Sequence, residues 1–223
     1  PLHSGREAVR VDSQPRILIM LLLGFSAGLP FLLVFSTLSA WLTDAHVARS
    51  TIGFFSWIGI MYSIKVLWAP LVDRIPLPVL SKLLGQRRSW MLLAQCGIAS
   101  GLLLLAYSTP EQNLRGFALC ALLVAFSSAT QDIVIDAWRI ETASSDQQAA
   151  MSASYILGYR VATLASGAGA LYLADFLNWQ IAYQVMSALT FIGIITTLLM
   201  REPIHRIPSE TVELENKIAH QIS

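Results

Sequence analysis

Charged residues and cysteines are both scarce in this 223-residue sequence. Only 13% of the residues are charged, against about 25% in soluble domains, and 55% are hydrophobic. The net charge of +1 provides neither the broad basic surface that nucleic acid requires nor an acidic tail. The two cysteines, Cys96 and Cys120, lie inside apolar runs, which argues against a disulfide framework. The composition therefore indicates a membrane protein.

The motifs of several enzyme classes are also missing. The sequence has no H-E-x-x-H, no G-x-S-x-G, no Walker loop and no glycine-rich dinucleotide motif. We therefore expect a protein that is not an enzyme and that uses no metal and no cofactor.

Six long apolar stretches predict an all-α membrane protein. A helix needs about 20 apolar residues to cross the hydrocarbon core, and lipid leaves helices as the default because it cannot satisfy exposed backbone groups. The stretches cover residues 17–42, 51–72, 90–107, 114–135, 149–176 and 181–200. We expect a bundle of six transmembrane helices over residues 17–200, a cytoplasmic N-terminal tail over 1–16 and a polar cytoplasmic C-terminal tail over 201–223. Within that last tail, residues 210–222 could form a short amphipathic helix.

The basic residues predict the orientation of the bundle. Eleven Lys and Arg side chains fall before the first run, in the second and fourth loops, or after the sixth run, whereas only Arg49 and Arg115 fall on the opposite side. The positive-inside rule therefore places both termini in the cytoplasm.

Four ionisable side chains lie within or at the ends of the apolar runs: Lys65, Asp132, Asp136 and Arg160. Such groups cost several kcal/mol each unless they are paired or wetted, so they mark functional sites by default. At about 1.5 Å per residue, Lys65 lies about 21 Å and Asp132 about 27 Å from the outer ends of their helices, where the two could meet, and Arg160 lies near the midplane. Asp136 follows one turn after Asp132, on the same face and close to the cytoplasmic interface. The four formal charges sum to zero, which favours mutual pairing.

Aromatic and hydroxyl side chains accompany these charges. A polar stripe at helical spacing runs along the fifth stretch through Ser152, Tyr155, Tyr159, Thr163 and Ser166, and Tyr62 lies one turn from Lys65. We predict that Tyr62, Tyr155 and Tyr159 line a substrate and proton pathway together with the four charges. The alternative is a set of static ion pairs and interhelical hydrogen bonds that fix helix register without any substrate.

A second group of charges surrounds the loop after the second run. Asp73 and Arg74 precede the loop, and Arg87 and Arg88 follow it. An Asp at a helix end that faces arginines can hold one conformation, so we predict a cytoplasmic gate here. Ordinary basic residues of a cytoplasmic loop are the alternative.

Small residues predict where helices approach closely. Gly24 and Gly28 are four residues apart, as are Gly97 and Gly101. In lipid, such pairs let two backbones pack against each other.

Several motifs in order resemble one transporter family. They are residues 24–30, 51–55, 65–74, 131–138 and 157–160, and the likeness extends from about Arg16 to Pro203. The chain resembles the N-terminal half of bacterial muropeptide permeases of the AmpG type, within the major facilitator superfamily. Acetyl-coenzyme A transporters of the same wider family are similar but more distant.

The resemblance implies proton-coupled import of peptidoglycan fragments, the anhydro-muropeptides, across the inner membrane for cell-wall recycling. Asp73, Arg74, Arg87 and Arg88 look like a form of the superfamily's cytoplasmic loop motif, although its usual glycine is missing and the loop is long. The family has two six-helix halves with the substrate site between them, and this sequence contains one. We therefore expect a fragment, a half-transporter that dimerises or the product of a disrupted gene, with a second half or a second copy as partner. A lone monomer is not expected to transport.

Two other functions remain open at this stage. The chain could belong to a permease for another substrate, such as a coenzyme A ester, a sugar or a peptide. It could also be a truncated scaffold or regulator that kept the fold and lost transport, in which case Lys65, Asp132 and Arg160 should tolerate neutral substitution.

Overall fold

The computed structural model describes residues 2–203 of the chain. This part is helical and contains no β-strand. The α-helices are α1 (Leu2–Val34), α2 (Ser36–Asp44), α3 (Arg49–Phe55), α4 (Ile60–Ile64), α5 (Ala69–Arg74), α6 (Leu80–Leu84), α7 (Gln86–Ala106), α8 (Leu114–Thr142), α9 (Ser145–Leu164), α10 (Ala170–Phe176), α11 (Trp179–Leu189) and α12 (Phe191–Leu199). The amphipathic helix expected at 210–222 lies outside the described residues.

These segments form six helical rods over residues 2–203. The first rod is α1 with α2, the second runs from α3 to α5, and the third and fourth are α7 and α8. The fifth rod is α9 with α10, and the sixth is α11 with α12. The two largest differences from the sequence expectation are that α1 begins at Leu2 instead of residue 17 and that α8 continues to Thr142 instead of 135.

Within the described residues, five rods are long and apolar enough to cross a membrane. These spans are Pro15–Asp44, Arg49–Leu67, Gln86–Ala106, Leu114–Thr142 and Trp179–Leu199. The fifth rod, which begins at α9, falls short by that measure because it carries the polar stripe and Arg160. Its crossing of the bilayer therefore remains a prediction.

Glycines bring the first and fifth rods into backbone contact. A Cβ on Gly24 or Gly28 of α1 would collide with the backbone of Tyr155 or Tyr159 in α9. A Cβ on Gly158 of α9 would collide in turn with the backbone of Leu21. The close approach that the spacing of Gly24 and Gly28 predicts is confirmed, and it fixes the position of the tyrosine stripe.

The third and fourth rods pack through a second set of glycines. A Cβ on Gly97 would collide with the Ser127 side chain, and one on Gly101 would come within 2.6 Å of Val124. The prediction for this pair is therefore also confirmed. The two helices that pack here, α7 and α8, are unbroken α-helices of 21 and 29 residues.

A polar layer separates two apolar cores inside the bundle. The outer core contains Leu33 and Phe117, and the inner core contains Met20 and Trp138. Between them, Ser26 donates to Gln131 over 3.0 Å, and Thr197 donates to Gln95 over 2.9 Å. Side-chain hydrogen bonds of this kind join helices in lipid, where burial of apolar surface gives little drive.

Four rods of the described part depart from a continuous α-helix. The first is interrupted at Phe35 and the sixth at Thr190, the second contains 3₁₀ segments at Ser56–Gly59 and Lys65–Leu67, and the fifth contains a π-helical segment at Ala165–Gly169. Such segments in the middle of a helix often mark functional positions. The second rod is also the least buried, with 11% of its apolar window inside the bundle against 56% for the first, so it lies at an edge.

Candidate functional site

The second and fourth rods bring two of the predicted charges together. Lys65 begins a 3₁₀ segment, and its ammonium donates to Asp132 Oδ2 over 3.4 Å. The side chains are 29% and 18% exposed, so the pair is neither dry nor fully in solvent. Asp132 Oδ1 is buried, and no described residue forms a hydrogen bond with it. The carboxylate therefore has an acceptor left for a ligand or a proton.

Two further polar groups lie near this pair and face each other. The Tyr62 hydroxyl lies beside the Ser128 hydroxyl, which is one helical turn from Asp132 on α8. Both oxygens are buried. Because each hydroxyl has the other beside it, Asp132 Oδ1 is the atom of this group that lacks a partner among the described residues, and an unpaired buried acceptor marks a site that is arranged for a further polar partner.

Tyr155 and Tyr159 stand on the fifth rod and complete this polar region. Their ring centroids lie 6.1 Å apart, and both rings lie close enough to Asp132 to feel its charge. Of the stripe predicted from the sequence, Tyr155 and Tyr159 thus lie near Asp132.

Asp136 pairs with a residue that the sequence reasoning used only for orientation. Arg139 donates to Asp136 Oδ1 over 3.4 Å and to the Ser152 hydroxyl over 2.5 Å. Arg139 therefore links α8 to α9 at the end of the polar region that is nearer the C-terminus of α8. The sequence could have indicated this ion pair, because Arg139 follows Asp136 by three residues and side chains at that spacing are neighbours on a helix.

Arg160 does not join the other three charges. The face of α9 that packs on α1 includes Gly158, and two residues further along a helix is a rotation of about 200°. Arg160 accordingly lies exposed on the far side of α9 and forms no salt bridge within residues 15–203. The expectation that all four charges pair mutually is wrong for this residue, because depth along a helix does not fix direction around it.

The predicted gate residues lie together at one end of the second, third and fourth rods, the end that the positive-inside rule predicts to be cytoplasmic. Arg87 donates to Asp73 Oδ1 over 2.5 Å and to Glu141 Oε1 over 2.6 Å. Its side chain is only 10% exposed, whereas Asp73 is 45% exposed. Glu141 was missed because residues 136–148 were read as a loop, although α8 continues to Thr142.

Arg88 and Glu202 extend this cluster to the sixth rod. The Arg88 guanidinium donates to the carbonyl oxygens of Thr197 and Leu198, which end α12. The Glu202 carboxylate accepts the backbone N–H groups of Arg87 and Arg88 over 2.7 and 3.0 Å, so it caps the N-terminus of α7. Arg74 is exposed, and the described residues show no ion pair for it.

A cavity of about 600 Å³ opens next to the cluster around Arg87. It lies between the start of the first rod and the ends of the fourth and sixth, and both Glu141 and Glu202 line it. It is separate from the Lys65–Asp132 region. No group of three or more potential metal ligands occurs among the described His, Cys, Asp and Glu residues.

Comparison with known proteins decides the family. The model of the Major Facilitator Superfamily matches residues 20–220. The chain belongs to the Major Facilitator Superfamily. With its five long apolar helices in the described part, it is a multi-pass membrane protein with the fold of that superfamily.

The curated relatives include a permease, a candidate transporter and an uncharacterized protein. The anhydromuropeptide permease of Escherichia coli K12 is 43% identical over 201 residues, which are 90% of this chain and 40% of that protein. An uncharacterized protein of Haemophilus influenzae is 39% identical over 84% of this chain and 44% of its own length. AmpG 4, a candidate transporter of Rickettsia conorii, is 35% identical over 84% of this chain and 45% of its own length. The chain therefore spans less than half the length of these relatives.

Proposed function

We propose that this chain forms one six-helix half of a proton-coupled permease that imports anhydro-muropeptides across the inner membrane for cell-wall recycling. The relative named anhydromuropeptide permease supports the substrate. The proposed pathway contains Tyr62, Lys65, Asp132, Asp136, Tyr155, Tyr159 and Arg160.

One observation carries the proposal. An ion pair joins Lys65, two residues from the end of the Arg49–Leu67 span, to Asp132, inside the Leu114–Thr142 span, and Asp132 Oδ1 has no hydrogen-bond partner among the described residues. A pair that served only to fix helix register would be expected to have its polar atoms satisfied. The unpaired carboxylate oxygen instead matches a site at which substrate or protons arrive.

The geometry suggests how transport could be coupled to protons. An anionic substrate group attracts the Lys65 ammonium and weakens its contact with Asp132. A buried carboxylate that loses its cation favours the protonated form. Asp132 would then take up a proton as substrate binds and release it when Lys65 returns. Asp136, held by Arg139 one turn nearer the cytoplasm, is placed to receive that proton.

The cytoplasmic cluster fits the role of a gate. Arg87 ties the second rod to the fourth through Asp73 and Glu141, and Arg88 ties the third rod to the sixth. While these contacts hold, the cytoplasmic ends of four rods stay together. Opening on that side requires Arg87 to leave at least one carboxylate. Arg74, which is exposed, contributes charge to the cytoplasmic face instead.

Arg160 is the argument for a second half. A guanidinium exposed on the far side of α9 at mid-depth needs an anion or water beside it. A second six-helix half or a second copy of the chain could cover this face and enclose the substrate anion, and the planar guanidinium suits a carboxylate. The excess of basic residues in these loops supports a cytoplasmic position for both termini under the positive-inside rule.

The test is uptake of a labelled anhydro-muropeptide into proteoliposomes. Two preparations are compared: the chain alone, and the chain followed by the remaining C-terminal part of the E. coli permease. We expect proton-driven uptake by the second preparation and its loss in the Arg160→Ala variant. The C-terminal part alone is the control for background. Absence of uptake by both preparations would exclude muropeptide transport.

A further inference from the structure

Two side chains of the second rod reach the fourth rod close to each other. The Lys65 ammonium donates to Asp132 over 3.4 Å, and three residues later the Trp68 indole N–H donates to the Thr130 hydroxyl over 3.2 Å. The Trp68 ring also lies beside Phe126, with ring centroids 5.0 Å apart. The first of these contacts belongs to the proposed pathway, whereas the second lies next to it.

The two contacts pass on opposite sides of the fourth rod. Lys65 begins a 3₁₀ segment, and the backbone N–H of Trp68 bonds its carbonyl oxygen over 3.3 Å. Because positions three apart are eclipsed in that geometry, the two side chains leave the second rod in about the same direction. Thr130 and Asp132 are two positions apart on an α-helix, which is a rotation of about 200°. The two side chains therefore hold α8 between them, and we call these four residues the clamp.

The clamp also opposes sliding of one rod along the other. The two rods run parallel, because Phe55 lies beside Phe117 near their starts, with ring centroids 6.2 Å apart, and the clamp joins them further along. In the second rod Lys65 precedes Trp68, whereas in the fourth rod the partner of Lys65 follows the partner of Trp68. The two contacts therefore cross, and a slide that shortens one of them lengthens the other.

The surroundings of the Trp68 indole differ from those of a tryptophan at the membrane surface. There the ring sits at the level of the headgroups, and the N–H meets water or lipid. Here the N–H points to a threonine that is only 4% exposed. The Thr130 hydroxyl gives its own proton to the Phe126 carbonyl oxygen over 2.9 Å, so a lone pair of the oxygen remains for the indole.

The second rod needs such a contact because it lies at an edge of the bundle. Val66 and Leu67, which lie between the two clamp residues of this rod, are 71% and 78% exposed. A rod that is packed along one side only can roll about its axis. Such a roll moves the Lys65 side chain away from Asp132, while the fourth rod, an unbroken α-helix, stays in place.

We propose that Trp68 is the positioning residue of the Lys65–Asp132 ion pair. Its bond to Thr130 resists the roll and thereby keeps the Lys65 ammonium at the Asp132 carboxylate. When an anionic substrate group draws the ammonium away, the same bond keeps the second rod on the fourth, so that the lysine side chain moves and the helix does not. This last step rests on the proposed function, whereas the clamp itself concerns the folded chain alone.

The first test measures the coupling between Lys65 and Asp132 in the purified chain in lipid nanodiscs. The coupling is the amount by which the decreases in Tm of Lys65→Gln and Asp132→Asn together exceed that of the double variant. The same set is then measured with Thr130→Val, which keeps the shape of the side chain and loses the hydroxyl. We expect the coupling to fall to about half or less, as it would if the roll doubled the distance between the two charges. Thr130→Ser, which keeps the hydroxyl, should retain the coupling.

Matched controls separate the bond between the rods from other losses. Thr196→Val removes a buried hydroxyl that donates to a carbonyl oxygen of its own helix. Trp57→Phe removes an indole N–H from an exposed position on the second rod. Neither control should change the coupling. Trp68→Phe, which keeps a ring beside Phe126 and removes the N–H, should reproduce the effect of Thr130→Val and takes its place if that variant does not fold.

The second test measures uptake of the labelled muropeptide by the chain joined to the C-terminal part of the E. coli permease. Thr130→Val and Trp68→Phe should raise the substrate concentration at half-maximal rate by roughly 5-fold, the scale of one neutral hydrogen bond, and leave the maximal rate within about 2-fold. Thr130→Ser should behave like the unmodified protein.

The outcomes separate the clamp from the function. An unchanged coupling in Thr130→Val and Trp68→Phe would overturn the positioning role and leave Trp68 a packing residue. A reduced coupling without any change in uptake would overturn its role in transport. If the unmodified protein takes up no labelled muropeptide, the proposed function fails, and the Tm measurements still decide whether Trp68 positions Lys65.

Discussion

The contact between the first and fifth rods gives the sharpest test of the packing. We consider Gly158→Ala, with Gly53→Ala as the matched control. The added Cβ at Gly158 would overlap the carbonyl group of Leu21, which is backbone and cannot rotate away. At Gly53, an added Cβ meets no atom within 4 Å. Both glycines lie in α-helices, so the change in helix propensity is similar at the two sites.

The two effects at Gly158 have opposite signs and can be compared. Alanine in place of glycine favours the helix by up to about 1 kcal/mol. Overpacking costs about 1–3 kcal/mol, and the upper end applies because the clash is with backbone and ordinary contact begins only at 3.4 Å. Rods α1 and α9 would have to separate by about 1 Å or more along their length. We therefore expect Gly158→Ala to lower the free energy of unfolding by about 2 kcal/mol and Gly53→Ala to raise it by up to about 1 kcal/mol.

The assay is thermal unfolding of the purified chain in lipid nanodiscs. On the scale of a domain of 150–250 residues, 2 kcal/mol corresponds to a decrease in Tm of about 4–8 °C. The Gly53→Ala variant should unfold at the same temperature as the unmodified chain or slightly higher. A Tm for Gly158→Ala that equals or exceeds that of Gly53→Ala would show that the two rods are not in backbone contact, and the position assigned to Tyr155 and Tyr159 would then be wrong.

Three further predictions concern the charges. Arg87→Gln should lower the free energy of unfolding by about 2–3 kcal/mol, which is less than for a fully buried pair because Asp73 is 45% exposed. The control Arg74→Gln should change the free energy of unfolding by under about 0.5 kcal/mol. Chemical unfolding of the two variants measures both values. Lys65→Gln and Asp132→Asn should each abolish proton-coupled uptake of the muropeptide and lower the Tm. The double variant should recover the Tm of the unmodified protein but still show no uptake. Retained uptake in the double variant would assign the pair a structural role. Glu202→Gln should cost about 1 kcal/mol by weakening the cap of α7, which thermal unfolding measures against an unchanged Arg74→Gln.

The sequence predicted those features that depend on distance along one helix. The apolar runs predicted the rods, and the glycines four residues apart predicted the close helix contacts. The rise per residue predicted that Lys65 and Asp132 lie at depths where they could meet. That meeting is confirmed at 3.4 Å. Each inference needed only the rise per residue and the solvent preference of the side chains.

Features that depend on tertiary contacts could not be obtained in this way. The direction of Arg160 depends on which face of α9 carries Gly158 into α1, and that requires the partner helix. The cap of α7 by Glu202 joins residues that are 115 positions apart. The π-helical segment at Ala165–Gly169 is fixed partly from outside the fifth rod, because the Thr37 hydroxyl bonds the Ser166 carbonyl at 2.9 Å. Nothing in the local sequence specifies such a bond.

The distribution of regular and irregular helices bears on how the site could work. The third and fourth rods are unbroken α-helices, and the fourth carries Asp132 and Asp136. The other four rods are interrupted; among them, the second carries Lys65 and the fifth carries Tyr155. Interrupted helices have fewer i→i−4 hydrogen bonds to hold them straight, so they bend at lower cost than α7 and α8. The carboxylates therefore stand on the rigid part of the bundle, and the groups that face them stand on the compliant part. Any bending of the second rod changes the Lys65–Asp132 distance first, and this is why the charge variants at that pair report on motion as well as on binding.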